Sequence, residues 1–522
     1  MSSSRFTSTG RRLIALVGAL AVAGTTLTAC AASSSVASDG STQAVLTWAT
    51  TGQQPNWDPV VTGSTGATIQ LTPIFESLFS LNENHEVIPA LAEGYEYNEA
   101  GDEITITLKP DLTFQDGTPV DAEAVAFNID RIKTQENSAL KGSYNNVESA
   151  TVVDDLTVRL DLAQPDHQIP YLLAVRGGLL SSKAAVEADP AIFNSSAPVG
   201  AGPFKVVELV PDSRIVLEKF DGYWDADNID IDRIELTFGL DINTVRAGIE
   251  SGVYNFAQVD AATISSAEKA GFDVLDDVAR GWVTTFFSVN VNKAPFDDPA
   301  VVEAIRLAVN PDEFVDKIAL GVGEPSYQPF PSTHPAYVEA LNEDYSYDPD
   351  KARRVLEDAG YADGEVTFEL NAFTGQDKPA EILQSQLAAV GITTTINVGD
   401  YATWAKGYFS KEFSNSLYGY VGRDSHVQAL TEHFDAGGVL NLSSPYTSEE
   451  FQKALKIVRA TPIDSAEYLP ALKDAAQAGY ENGSTIALYT TPQIWVKDPS
   501  VSDPPTIDGL LSWKNVTITP QG

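Results

Sequence analysis

Cysteine, methionine and histidine are nearly missing from this chain: one Cys, one Met and five His in 522 residues. A single thiol, Cys30, excludes an internal disulfide and leaves no cysteine nucleophile in the body of the chain. Bases are scarce too. Thirty-three lysines and arginines face 72 acids, a formal net charge of −39. Nucleic acid is therefore not a partner, because its binders need a basic face, and charge alone will not hold this surface to anionic lipid. Catalytic signatures are also lacking. There is no Gly-x-Ser-x-Gly elbow, and His85-Glu86 is followed by Val87-Ile88-Pro89 rather than a second histidine. No phosphate-loop lysine follows Gly200-Ala201-Gly202, and the acidic stretch Asp225 to Asp232 lacks the glycine and closing glutamate of a calcium loop. The expectation is a chain with no catalytic residue, no metal and no cofactor.

The apolar run Leu13 to Leu27 is shorter than the ~20 residues of a spanning helix, and Gly18 and Gly24 interrupt it. Arg5, Arg11 and Arg12 precede it, no acid comes before Cys30, and Leu27-Thr28-Ala29 leads into that cysteine. A basic start, a short apolar middle and small residues at a cut site make an export signal. Ending at a cysteine, it resembles a bacterial lipoprotein signal. The resemblance implies a signal peptide over 1–29, a lipid (palmitate) on Cys30, and a mature chain tethered to the outer face of the cell membrane. Arg11-Arg12 leaves general and twin-arginine export both open. Loss of residues 1–29 removes three arginines and no acid, so the mature charge is −42. Residues 30–42 are small and polar, a flexible tether. What remains exceeds one hydrophobic core, which stops growing at roughly 250–300 residues, so lobes are expected.

Strands and helices mix along the chain. Glu103 to Lys109 alternates polar and apolar residues, a half-buried strand that Pro110 ends. Asp116-Gly117 marks a turn and Asp121 a helix cap. Residues 204–209 and 213–218 read as a hairpin, 285–291 and 392–398 as strands, and 300–309, 351–359 and 379–389 as helices.

Several blocks together resemble the extracytoplasmic solute-binding proteins of peptide, oligopeptide and nickel ABC importers (solute-binding protein family 5). They are Phe75-Glu76-Ser77-Leu78 with Pro89-Ala90-Leu91-Ala92, then Phe114-Gln115-Asp116-Gly117-Thr118-Pro119 with the helix through Phe127 to Arg131. Gly200-Ala201-Gly202-Pro203-Phe204 with Tyr223-Trp224 follows, then Asn290 with Pro295-Phe296-Asp297-Asp298. Tyr347-Asp348-Pro349 with Ala359-Gly360-Tyr361, and Gln386-Leu387 with Gly391-Ile392 and Trp404, complete the series. As residues, these blocks read as turns, caps and packed corners that identify a fold and touch no ligand. The resemblance implies an α/β, two-lobed periplasmic-binding-protein-like fold (type II, large cluster C-like) with an extra domain inserted in the first lobe. Lobe I would take 43–75, 200–285 and 490–522, the additional domain 76–199, and lobe II 286–489, with crossings near Val289-Asn290 and 486–492 as hinge. It implies a monomer that binds a small-molecule or peptide ligand between the lobes and delivers it to an ABC permease and ATPase complex.

The segment Leu417 to His426 runs from apolar and aromatic residues through glycine into charge, which suits recognition. In peptide-binding members, the resemblance implies, an acid here pairs with the peptide amine. Arg423 holds the matching place and Asp424 follows it. Asp424 in that role keeps peptides as ligands, whereas Arg423 facing the cleft favours a carboxylate. An internal Arg423–Asp424 pair is the third possibility. Candidate ligand contacts are Tyr420, Gly422, Arg423, Asp424, His426, Trp404, Trp282 and Trp48. Peptide or oligopeptide is the expected ligand; an oligosaccharide, a metal chelate or another small metabolite is the alternative on the same fold. A peptide-processing enzyme or a non-transport sensor is the alternative of another class.

Overall fold

The computed structural model describes residues 43–519 except 63, 64, 196, 422–424 and 508. The signal peptide, the tether, Cys30, Gly422, Arg423 and Asp424 lie outside the described residues.

Two sheets organise the rest. The larger has seven strands in the order Asp273–Leu275, Ile494–Lys497, Phe256–Val259, Val45–Ala49, Arg233–Thr237, Arg214–Lys219 and Phe204–Val210. Its centre is parallel: Val45–Ala49 runs alongside both Arg233–Thr237 and Phe256–Val259. Parallel centres are buried on both faces, and Leu46, Trp48, Ile234, Leu236 and Phe256 are at most 1% exposed. The second sheet is antiparallel, in the order Glu324–Pro325, Thr485–Pro492, Trp282–Val289 and Asn415–Val421. A parallel pair, Thr367–Phe373 with Thr393–Gly399, adjoins it.

Between the first and second strands of the large sheet comes an inserted unit. Its four antiparallel strands, Ala92–Tyr97, Glu103–Leu108, Thr157–Leu162 and Val147–Asp154, pack on the helix Ala122–Thr134. Asp121 caps that helix by accepting from the Ala124 amide at 2.9 Å. Gln115 explains why two of the sequence blocks occur together. Its amide donates to the carbonyls of Ile74 (2.8 Å) and Phe204 (2.8 Å), and its carbonyl accepts from Gly200 (3.2 Å). Gly200 and Gly202 have no room for a Cβ, which would fall 2.3 and 2.5 Å from Ile74. These blocks are joints between inserted unit and sheet. Arg131 of the same helix pairs with Asp58, which is fully buried.

The chain passes between the two sheets at 276–281 and at Gln493, not at the expected 285/286 and 489/490 boundaries. The strand Trp282–Val289 is paired with Asn415–Val421 from Val283 to Val289, so a boundary cannot fall inside it. The same holds for Thr485–Pro492. The two passages touch. Gln493 N–H donates to Gly281 O at 2.7 Å, and Gly509 N–H donates to Arg280 O at 2.7 Å. A Cβ on Gly281 would sit 2.6 Å from Gly509 Cα.

Two outcomes follow for stability. Arg131→Ala leaves Asp58 buried without its partner and is expected to cost about 3–5 kcal/mol, read as a lower denaturant midpoint. Gly281→Ala forces the two passages apart and is expected to cost about 1–3 kcal/mol, whereas alanine at Gly142, which has open space around it, leaves the midpoint within the ordinary ±0.5 kcal/mol of a surface change.

Candidate functional site

Where the four-stranded sheet meets the inserted unit, rings converge from distant parts of the chain. Trp282 opens its strand and stands 5.6 Å from Tyr420, 6.4 Å from Phe330 and 5.9 Å from His334, centroid to centroid. His334 stacks on Phe330 at 4.5 Å and meets His426 edge-on at 5.0 Å. His85 comes from the inserted unit and completes the group, 6.0 Å from His334 and 5.8 Å from His426. Tyr171, also from the inserted unit, is 4.9 Å from His426. Three of the five histidines thus share one packed cluster, and a fourth, His433, lies 4.5 Å from Tyr420.

Local structure aims each ring. His85 sits at the tip of the hairpin Phe79–Leu81 and Val87–Pro89, with φ of +59°. A side chain in that left-handed region is unfavourable, and Asn82 holds it there. The Asn82 carbonyl oxygen of the side chain accepts from the Asn84 and Glu86 amides at 2.9 Å each, its side-chain amide donates to Glu86 at 2.7 Å, and His85 N–H donates to Asn82 O at 2.9 Å. His334 Nδ1 accepts from the Ala336 amide at 3.0 Å, which leaves its ring proton on Nε2. His426 is the first residue of the helix His426–Phe434, which Ser425 caps through the Gln428 amide at 3.0 Å. Tyr468 packs behind, its hydroxyl 3.5 Å from His426 Nδ1 and its ring stacked on Tyr171 at 6.3 Å. Burial, then the neighbouring Tyr171, pushes the Tyr468 phenol well above its ordinary range, so it stays a neutral donor. Arg176, 4% exposed, follows Tyr171's helix and donates to Thr62 O at 3.3 Å.

Tyr420, His426 and Trp282 are therefore brought together. Trp48 and Trp404 are not with them. Trp48 lies in the middle strand of the large sheet, packed on Trp513 (5.4 Å), Phe256 (6.0 Å) and Trp495 (6.1 Å). Trp404 donates to Ser416 Oγ at 2.7 Å between the rings of Phe373 (4.7 Å) and Tyr408 (5.1 Å). Both are buried in packed cores, Trp404 in the same apolar cluster that holds Trp282 and Tyr420, and neither stands beside the imidazoles. Gly422, Arg423 and Asp424, between Tyr420 and His426, lie outside the described residues. His85, His334, Tyr171, Phe330 and Arg176 escaped the sequence reading. No local spacing links them; only the paired strands and the hairpin bring them together. Among the described residues no three His, Cys, Asp or Glu are arranged to hold a metal ion, this trio included.

A cavity of about 670 Å³ lies on the other side of the same hairpin, between Thr68, Glu76, Leu81, Arg280, Trp513 and Lys514. Three of its charged groups are paired: Lys514 is 3.7 Å from Glu76 and 3.3 Å from Asp225, Tyr223 donates to Glu76, and Arg280 is 3.5 Å from Asp503.

Over residues 86–440 the chain matches the family described as bacterial extracellular solute-binding proteins, family 5. It is 30% identical to the glutathione-binding protein GsiB of Salmonella paratyphi A over 70% of this chain and 72% of that protein. With the same protein of Escherichia coli K12 it shares 29% over the same fractions. The structure superposes with a TM-score of 0.78 on AgaA of A. tumefaciens R10, solved with agropinic acid, at 23% identity over 92% of this chain and 99% of the other. It does so equally, at 0.78, on DppA of Helicobacter pylori, solved with the peptide STSA, at 21% identity over 91% and 98%. The fold is the two-lobed one of these binding proteins.

His85→Gly relieves the left-handed backbone while removing the imidazole. Its melting temperature is expected to stay within a few degrees of the wild type, since the relief is about 1 kcal/mol. Thermal melting of the variant checks this.

Proposed function

We propose that the chain, which belongs to family 5 of the bacterial extracellular solute-binding proteins, is the lipid-anchored receptor of an ABC importer and takes a peptide-class ligand between its lobes. The domain division proposed is the one expected from sequence, with the hinge moved to 276–281 and Gln493. Closure of two lobes on a ligand that touches both is the physical basis of such a receptor. Tyr420, His426 and Trp282 are the proposed contacts from the second lobe, with Gly422, Arg423 and Asp424 between them. His85 and Tyr171 face them from the inserted unit. The observation that carries the reading is this cluster: aromatic and imidazole rings from two separately built parts pack against one another. Rings of this kind suit peptide side chains and backbone alike. The relatives named for glutathione, and the fold neighbour solved with a tetrapeptide, favour a short peptide. The neighbour solved with agropinic acid supports the second reading, a small non-peptide metabolite on the same fold. Delivery to a permease, with no reaction on the ligand, completes the function.

Thermal melting against glutathione, di- to tetrapeptides, oligosaccharides and a nickel–histidine chelate tests the ligand class. A ligand that binds only the folded state adds about 2.7 kcal/mol of stability at a hundredfold excess over its Kd. A shift with glutathione or peptides is expected; a shift with sugars or the chelate alone overturns the peptide class. Asp424→Lys is expected to abolish the shift from ligands with a free amine. Cys30→Ser is expected to move the exported chain from the membrane to the soluble fraction on cell fractionation.

A further inference from the structure

Beside the ring cluster, a corner of the inserted unit grips the second lobe. The corner is Asp166 to Gln168, between the strand Thr157–Leu162 and the helix Ile169–Ala174. Its own unit holds it firmly. Asp166 accepts from the Gln168 amide at 3.0 Å and from the Asn146 side chain at 3.2 Å, and its carbonyl accepts from the Tyr97 hydroxyl at 2.8 Å. The His167 ring packs on Tyr97 at 4.3 Å.

From this support it reaches across. His167 N–H donates to Arg459 O at 2.8 Å, at the end of the helix Glu449–Ala460. The Tyr468 hydroxyl donates to Gln168 Oε1 at 3.0 Å. Arg459 Nε is 3.9 Å from Asp166 Oδ2. A separate contact, Gln428 Nε2 to Ser143 Oγ at 2.7 Å, joins the same two parts. Tyr468 connects this grip to the site, since it also lies 3.5 Å from His426 Nδ1 and stacks on Tyr171.

We propose that the 166–168 corner is a closure latch, and that Tyr468, engaged by Gln168, positions the His426 imidazole when the lobes are shut. The inference rests on reading His426 as a ligand contact, while the latch itself is independent of what the ligand is. A minor open state is set by the free-energy gap between open and closed, so each lost contact enlarges it. The His167 amide is then a direct reporter, because its hydrogen bond crosses between the two parts and breaks whenever they separate. Apparent affinity falls by the same factor as the closed population. Tyr468 is a positioning residue and Gln168 its anchor.

The test uses the full-length chain labelled with ¹⁵N-histidine, whose five histidines give five backbone amides and five rings. In Tyr468→Phe and in Gln168→Ala the His167 amide is expected to exchange about fivefold faster, as loss of one net hydrogen bond implies. His426 ring resonances shift in both, while those of His433, held by Tyr418 at 3.0 Å, stay in place. Ser143→Ala acts on the separate contact and is also expected to speed His167 exchange, with its melting temperature nearly unchanged. A His167 exchange rate equal to wild type in all three variants overturns the latch. Faster exchange with an unmoved His426 ring overturns the positioning role. Failure of glutathione and every peptide to bind overturns the ligand class and leaves the His167 result standing by itself.

Discussion

Everything in this molecule depends on how two strand passages lie against each other. At Gly281 and Gln493 the chain leaves one sheet and enters the other, and the two passages are bonded backbone to backbone at 2.7 Å. Gly509 closes on them with no space for a Cβ between. A joint this narrow has no side-chain volume to absorb a change of angle, so rotation is confined to a few backbone dihedrals. In the proposed closure each sheet stays a rigid, close-packed body while the pair moves, and the proposed ligand contacts lie along the seam, where such motion changes what is in contact.

The chemistry of the seam suits reversible contact. Its described members are aromatic and imidazole rings, single hydrogen bonds such as Tyr468 to Gln168 and Gln428 to Ser143, and one loose charge pair, Arg459 to Asp166 at 3.9 Å. Each bond contributes only about 1 kcal/mol net, because water replaces it on opening. A few such contacts hold a closed form without making it permanent. The strongly committed interactions, the Arg131–Asp58 pair and the Gln115 clip, sit inside one lobe, where nothing has to open.

The sequence made the elements legible where period and punctuation agree. The alternation of Glu103–Leu108 and the Asp121 cap are visible in a dozen residues and appear in the structure as read. The sheet boundary was not, because where a strand pairs is a property of its partner: Val283 belongs with Val421, 138 positions on. Tryptophans were ambiguous for a related reason. Trp48, Trp282 and Trp404 are equally apolar in sequence, yet all three are at most 5% exposed and only Trp282 borders the imidazoles. The histidine cluster left no local trace at all. His85, His334 and His426 stand on a hairpin tip, a loop and a helix start, and only the folded hairpin brings them together.

The scarcity of bases bears on where the remaining ones are placed. In a chain this acidic, an exposed arginine gains little from one more surface carboxylate, since such pairs are worth about 0–1 kcal/mol. Three of its arginines, Arg176 and Arg306 buried and Arg131 partly buried, instead sit at junctions and donate mainly to fixed oxygens. Arg306, 6% exposed, ties the carbonyls of Tyr480 and Gly483, where a helix of the second lobe ends, to the helix Pro299–Ala308. Arg131 fixes the loop after the first strand of the large sheet through Asp58, and Arg176 reaches the same loop at Thr62 O. A guanidinium can satisfy several acceptors at once in fixed geometry. The two arginines on that loop thus bind the inserted unit to the large sheet from two directions. That ties the inserted unit to the first lobe, so under the proposed latch a grip by its Asp166–Gln168 corner on the second lobe would act on the hinge with the leverage of the whole lobe.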